Sequence, residues 1–172
     1  MNEKVLIIGA GHGLSTSIAR LFAAKGMKVG LAARNIEKLA ALADEIGAST
    51  FTCDASDPDA VVELFKAFGT DIGCPDILVY NPSSRVRGPI TEIDAAATKD
   101  AILVSAYGAF LAAQQAAIRM LKAGSGTMLF TGASAGVKGY PRSASFAMGK
   151  FALRGLCQSL ARELSPQNIH VA

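Results

Sequence analysis

Short apolar runs alternate with longer amphipathic stretches along the whole chain. Val5-Leu6-Ile7-Ile8 is continuously apolar and runs into Gly9, the pattern of a strand covered on both faces. From about Gly13 to Lys25 the apolar positions Leu14, Ile18, Leu21 and Phe22 recur at helical spacing, and Gly26 ends that helix. Lys28 to Ala33 reads as a second strand, and Asn35 as a cap for a helix from Ile36 to Ile46 closed by Gly47. Ser49 to Cys53 is a short third strand. Asp57 followed by Pro58 marks the start of a helix reaching about Phe68. Asp76 to Val79 is a fourth strand, a long helix is predicted over about Ala95 to Lys122, and Thr127 to Thr131 is a fifth strand. After the glycine-spotted loop Gly132 to Arg142 comes a helix from Ser143 to Leu164, and Ile169 to Ala172 begins a sixth strand. Strands alternating with helices of this length predict one α/β domain over 1–172, a doubly wound parallel sheet with helices on both faces.

Composition narrows the function classes. The chain has 172 residues, 51% of them apolar and 18% charged, which excludes wholesale disorder. The net charge of +3 comes from scattered residues and there is no Trp, so no nucleic-acid footprint or base-stacking platform is indicated. Cys53, Cys74 and Cys157 are widely spaced, with no Cys-x-x-Cys pair and no Cys/His cluster. They read as buried small side chains in a reducing cytoplasm, with no metal site expected. The N-terminal apolar run is too short for a signal peptide. Ala101 to Ile118 is rich in alanine and holds Ser105, Gln114 and Gln115, so a buried or interface helix is expected there and no membrane span.

The chemistry begins at Gly9-Ala10-Gly11-His12-Gly13-Leu14-Ser15, between the first strand and the first helix. A dinucleotide pyrophosphate binds at such a turn on free N–H groups at a helix N-terminus, where a Cβ would block its approach. The usual glycine spacings fail here, with Leu14 in one template and Ser15 in the other; serine keeps the close helix–strand packing that the last glycine serves. The second strand ends Leu31-Ala32-Ala33-Arg34. An NAD site carries an acid near there for the ribose hydroxyls, whereas Arg34 can pair with a 2′-phosphate. NADP(H) is therefore favoured over NAD(H), with a solvated loop arginine as the alternative. His12 is either a second polar contact in the turn or a solvated loop residue.

Several motifs in order make the chain resemble a short-chain dehydrogenase/reductase. Gly9 to Ser15 is similar to that family's Thr-Gly-x-x-x-Gly-Ile-Gly turn. Cys53-Asp54-Ala55 is similar to its Asp-Val after the third strand, which implies a carboxylate on the adenine amino group and a side chain packed on the ring. Val79-Tyr80-Asn81-Pro82-Ser83 stands at its Val-Asn-Asn-Ala-Gly, and Leu129 to Gly136, with Thr131, at its fifth strand and serine loop. Ala147-Met148-Gly149-Lys150 resembles the end of its Tyr-x-x-x-Lys, and Asn168 to Val171 the strand before its Pro-Gly loop. The resemblance implies a Rossmann-like sheet in strand order 3-2-1-4-5-6. It also implies a further loop, a substrate lid and a final strand, which are absent after Ala172. Either the sixth strand is then an exposed edge and the substrate pocket lacks a wall, or those elements lie elsewhere and hold most of the specificity.

The departures from the family fall on its catalytic positions. Its proton-donating tyrosine maps to Phe146, four residues before Lys150, and its substrate-orienting serine to Ala133, beside Ser134. Its helix asparagine maps to Ser105. Only Lys150 keeps the expected type, and the resemblance gives it the nicotinamide ribose. Phe146 suits an apolar ligand face or a core position. Tyr140, Tyr80, Tyr107 and Ser134 are the remaining candidate proton donors, and Ser143 occupies the position of the enoyl-reductase tyrosine. Arg85 and Arg87 follow the fourth strand and either hold an acidic substrate or are solvated.

Two functions follow. One is an NADP(H)-dependent oxidoreductase with an atypical proton donor, moving hydride to or from a carbonyl, alcohol or activated double bond of a small molecule. The other is a non-catalytic NADP(H)-binding protein, a redox sensor or partner subunit. The resemblance also implies a homodimer or homotetramer through the helices at Ala95–Lys122 and Ser143–Leu164, whose small residues Ala106, Gly108, Ala109, Ala112, Ala113, Gly149 and Gly155 permit close approach. A buried core helix explains those residues as well.

Overall fold

The computed structural model describes residues 3–172. Six strands run parallel: β1 Lys4–Ile8, β2 Lys28–Ala33, β3 Ser49–Thr52, β4 Ile77–Tyr80, β5 Gly126–Phe130 and β6 Ile169–Val171. Their order is β3-β2-β1-β4-β5-β6, the order expected. The helices are α1 Leu14–Ala24, α2 Ala40–Ile46, α3 Pro58–Asp71, α4 Ala95–Ile102, α5 Gly108–Ala123 and α6 Ala144–Leu164.

The alternation of side chains along a strand divides the core into two layers. On β1, Leu6 and Ile8 point into the layer under α3, α5 and α6, while Val5 and Ile7 point into the layer under α1 and α2. The first layer is the larger; Phe65, Phe68, Met120, Met128 and Tyr80 fill it. Asp57 caps α3 as predicted, its carboxylate accepting from the Asp59 and Ala60 amides. Asp94 does the same for α4 through the Ala97 amide.

Several sequence expectations change in detail. Half of the predicted apolar stripe of α1 faces the core: Ile18 and Phe22 pack on it, whereas Leu14 and Leu21 are 53% and 55% exposed, and the fully buried residues are Ser15 and Ala19. The stretch before α2 opens as a 3₁₀ turn, Glu37–Leu39, with the Asn35 side chain accepting from the Glu37 amide. The long predicted helix is interrupted by a π-helical segment, Leu103–Tyr107, between α4 and α5. Its span, 95–123, is long and apolar enough to cross a membrane by length and composition, and it lays Ala109, Ala112, Ala113 and Ala116 on the sheet. Gly108 and Gly149 are also explained within the chain. A Cβ on Gly108 would overlap the Ala55 carbonyl, and one on Gly149 would lie 2.9 Å from Ser105 Cβ. Of the cysteines only Cys53 is buried; Cys157 is half-buried and Cys74 exposed, because it sits in the Gly73-Cys74-Pro75 turn ahead of β4.

Candidate active site

Strand order reverses between β1 and β4, and ligands of open parallel sheets sit at the carboxyl ends of the strands beside such a switch. A cleft of about 400 Å³ opens there. Ile8, Gly9 and Ala10 line it at the end of β1, Ala33, Arg34 and Asn35 at the end of β2, and Cys53, Asp54 and Ala55 after β3. Asn81, Pro82 and Ser83 line it after β4, with Val104 of the π segment.

The glycine turn is shaped by contacts across the switch. Gly9 has φ +78° and packs against Pro82, where any side chain would collide. The Gly9 and Ala10 amides both donate to the Ala32 carbonyl, which leaves ligand-facing donors to begin at Gly11. Ser15 does more than keep the packing close. Its hydroxyl donates to the Gly9 carbonyl at 3.1 Å and accepts from the Asn81 side-chain amide at 2.6 Å, tying turn, helix and β4 end together. Gly13, at φ +91°, precedes α1 without a side-chain cap, and no acidic residue lies in the first helical turn. The space around Gly11 and Gly13 where a Cβ would project is open. Uncapped amides, open glycines and no carboxylate fit a dinucleotide pyrophosphate. His12 is exposed and lines a separate shallow hollow with Gly11, Thr16 and Lys38, and Leu14 points outward.

At the nucleoside end, Lys38 lies in the cleft with Arg34, on the 3₁₀ turn that follows. The sequence held this signal as a second cation four residues after the first. The Asp54 carboxylate accepts from the Ser56 hydroxyl at 2.6 Å and the Ser56 amide at 2.9 Å. Those bonds, with a smaller contribution from Arg34, hold it below its ordinary carboxylate value.

At the other end, Lys150 is 3% exposed and donates to the Thr131 carbonyl at 2.6 Å. Burial lowers its pKa. Its ammonium lies 5.9 Å from the centre of the Phe146 ring, and the Arg85 guanidinium lies over the same ring at 4.3 Å. Ser105 is buried at the Gly149 crossing with no hydrogen-bond partner for its hydroxyl. Ser134 is exposed in a second cavity beside Arg85. Tyr80 is no free acid: its O–H is buried and donates to the Val104 carbonyl at 2.6 Å, and burial raises its pKa far above neutrality. Tyr107 is exposed and stacked on Phe110, while Tyr140 shares the second cavity with Ser134. The structure thus brings Lys150, Phe146 and Arg85 together, and Ser105 lies at their back.

The sequence matches the family model of short chain dehydrogenases over residues 3–172. The chain belongs to that family. Among solved structures, the chain is similar to a short-chain dehydrogenase from Rhodopseudomonas palustris, with 36% identity and a TM-score of 0.94 over 100% of this chain and 83% of that one. It is also similar to a gluconate 5-dehydrogenase from Burkholderia cenocepacia solved with NADP and tartrate, with 25% identity and a TM-score of 0.92 over 99% of this chain and 69% of that one. It is 30% identical to the 3-oxoacyl-[acyl-carrier-protein] reductase MabA of Mycobacterium tuberculosis over 98% of this chain. The chain spans 66% of that reductase's length. Sequence reasoning missed Lys38, Val104 and the hydrogen-bonding role of Ser15. Val104 lines the cleft from the π segment, where its carbonyl accepts from the Tyr80 hydroxyl, and no periodicity reveals that winding.

Proposed function

We propose that this chain is the cofactor-binding core of an NADP(H)-dependent oxidoreductase, acting on a carbonyl, alcohol or activated double bond without a tyrosine at position 146. The observation that carries this reading is the pair of cations, Arg34 and Lys38, lining the cleft where an NAD site places a carboxylate. The solved relative that holds NADP supports it. The bound nicotinamide would supply or accept the hydride. Lys150, fixed on Thr131, would hold its ribose; the α1 amides would hold the pyrophosphate, and Asp54 and Ala55 would flank the adenine. Titration with NADPH and with NADH tests this. Wild-type protein is expected to prefer NADPH, and Arg34→Ala to lose about tenfold or more of that affinity with NADH unchanged. Equal binding of both cofactors, or an Arg34→Ala variant that keeps the preference, overturns the NADP(H) reading.

Phe146 favours a second reading, an NADP(H) binder without turnover, which tight binding and no NADPH oxidation across a carbonyl panel would support. Outward apolar side chains on adjoining helices, Tyr107 and Phe110 with Met148 and Phe151, support assembly as a homo-oligomer. The three free cysteines fit a reducing cytoplasmic setting.

A further inference from the structure

Beside Phe146 lies a second cavity, of about 520 Å³. Arg85, Arg87, Arg142, Tyr140, Ser134 and Ser143 line it. No carboxylate lines it, and the side-chain salt bridges among the described residues are Arg20–Glu45 and Lys66–Glu63, both remote from these arginines in the chain. The Lys138 ammonium lies 5.1 Å from the centre of the Tyr140 ring. Three guanidinium groups around one hollow repel one another, and a bound oxyanion removes that cost.

The backbone that carries the arginines is also held in place. Ser145 is buried, and its hydroxyl accepts from the Val86 amide at 3.2 Å and donates to the Val86 carbonyl at 3.0 Å. That fixes the residue between Arg85 and Arg87. The Gly88 amide donates to the Arg142 carbonyl at 3.3 Å, which joins the loop after β4 to the loop before α6. Arg85 stacks on Phe146, an arrangement that occupies the guanidinium face and leaves its in-plane N–H groups free. A tyrosine hydroxyl is missing at position 146, and a forked cation stands over that ring instead.

We infer that this cavity binds the carboxylate of an anionic substrate, gripped by Arg85, Arg87 and Arg142 beside Phe146. The inference rests on the oxidoreductase reading only for naming the anion a substrate. The anion site itself has its own readout.

The test is calorimetric titration of the full chain with pyruvate and 2-oxoglutarate, and in parallel with their methyl esters, at low and at high salt. The acids are expected to bind about tenfold or more tighter than the esters at low salt, with the difference shrinking as salt rises. Arg85→Gln, Arg87→Gln and Arg142→Asn should each remove most of that preference; asparagine tolerates the φ of +60° at position 142. Thermal melting confirms that the variants fold. Esters binding as well as acids, or variants that keep the preference, overturn the inference, as does no binding of either acid up to about 10 mM. Inorganic phosphate is the further probe: phosphate binding without carboxylate binding also overturns it. NADPH titration of the same samples reports on the cofactor reading alone, so failure of one is distinguishable from failure of the other.

Discussion

At the scale of single residues, Phe146 concentrates what is unusual in this chain. A positioned acid contributes roughly 10²–10⁴ in rate, and the ring has none to give. Phe146→Tyr returns a hydroxyl to a place flanked by Lys150 and Arg85, two cations that lower a phenol's pKa. The variant is expected to oxidise NADPH at least about tenfold faster than wild type with a carbonyl substrate panel, measured by absorbance. An unchanged rate would show that the proton comes from elsewhere. The places of the glycines and Arg34 were legible from their positions after strands, and those of Asp54 and Lys150 from the family resemblance of the motifs that hold them. Arg142 was not, because its place opposite Arg85 depends on a contact between loops more than fifty positions apart.

At the scale of elements, the π segment Leu103–Tyr107 shows the limit of periodicity. Apolar spacing predicts one continuous helix and cannot reveal a local change in winding. The segment is fastened from outside by the Tyr80 hydroxyl on the Val104 carbonyl. Tyr80→Phe keeps the packing and leaves that carbonyl without its donor. Urea unfolding is expected to show a loss of about 1–3 kcal/mol with the slope unchanged. No loss would mean that the winding is set by the packing of Gly149 on Ser105 instead. Helix α1 teaches a related lesson. Its apolar residues have helical spacing, yet only Ile18 and Phe22 pack on the core, Leu14 and Leu21 turn outward, and the fully buried positions are Ser15 and Ala19.

At the scale of the molecule, the βα alternation made a doubly wound parallel sheet legible, and the family resemblance supplied its strand order. The inequality of the two layers was not. Among the described residues, 22 buried side chains make up the layer under α3, α5 and α6, against 8 under α1 and α2. The thinner side, which carries the glycine turn, should open first. Hydrogen-exchange mass spectrometry is expected to show α1 and α2 exchanging ahead of α5. Their exchange should slow by up to about a hundredfold with NADPH at a hundred times its Kd. Uniform exchange across both sides would contradict this. A different consequence follows from the clasp between Ser145 and Val86. It secures main-chain atoms only, so the side chains on either side of Val86 are free to vary while their frame stays put. Residues 85 and 87 are therefore exchangeable fittings on a fixed mount, the places where this scaffold can be retooled for a new cargo without being rebuilt.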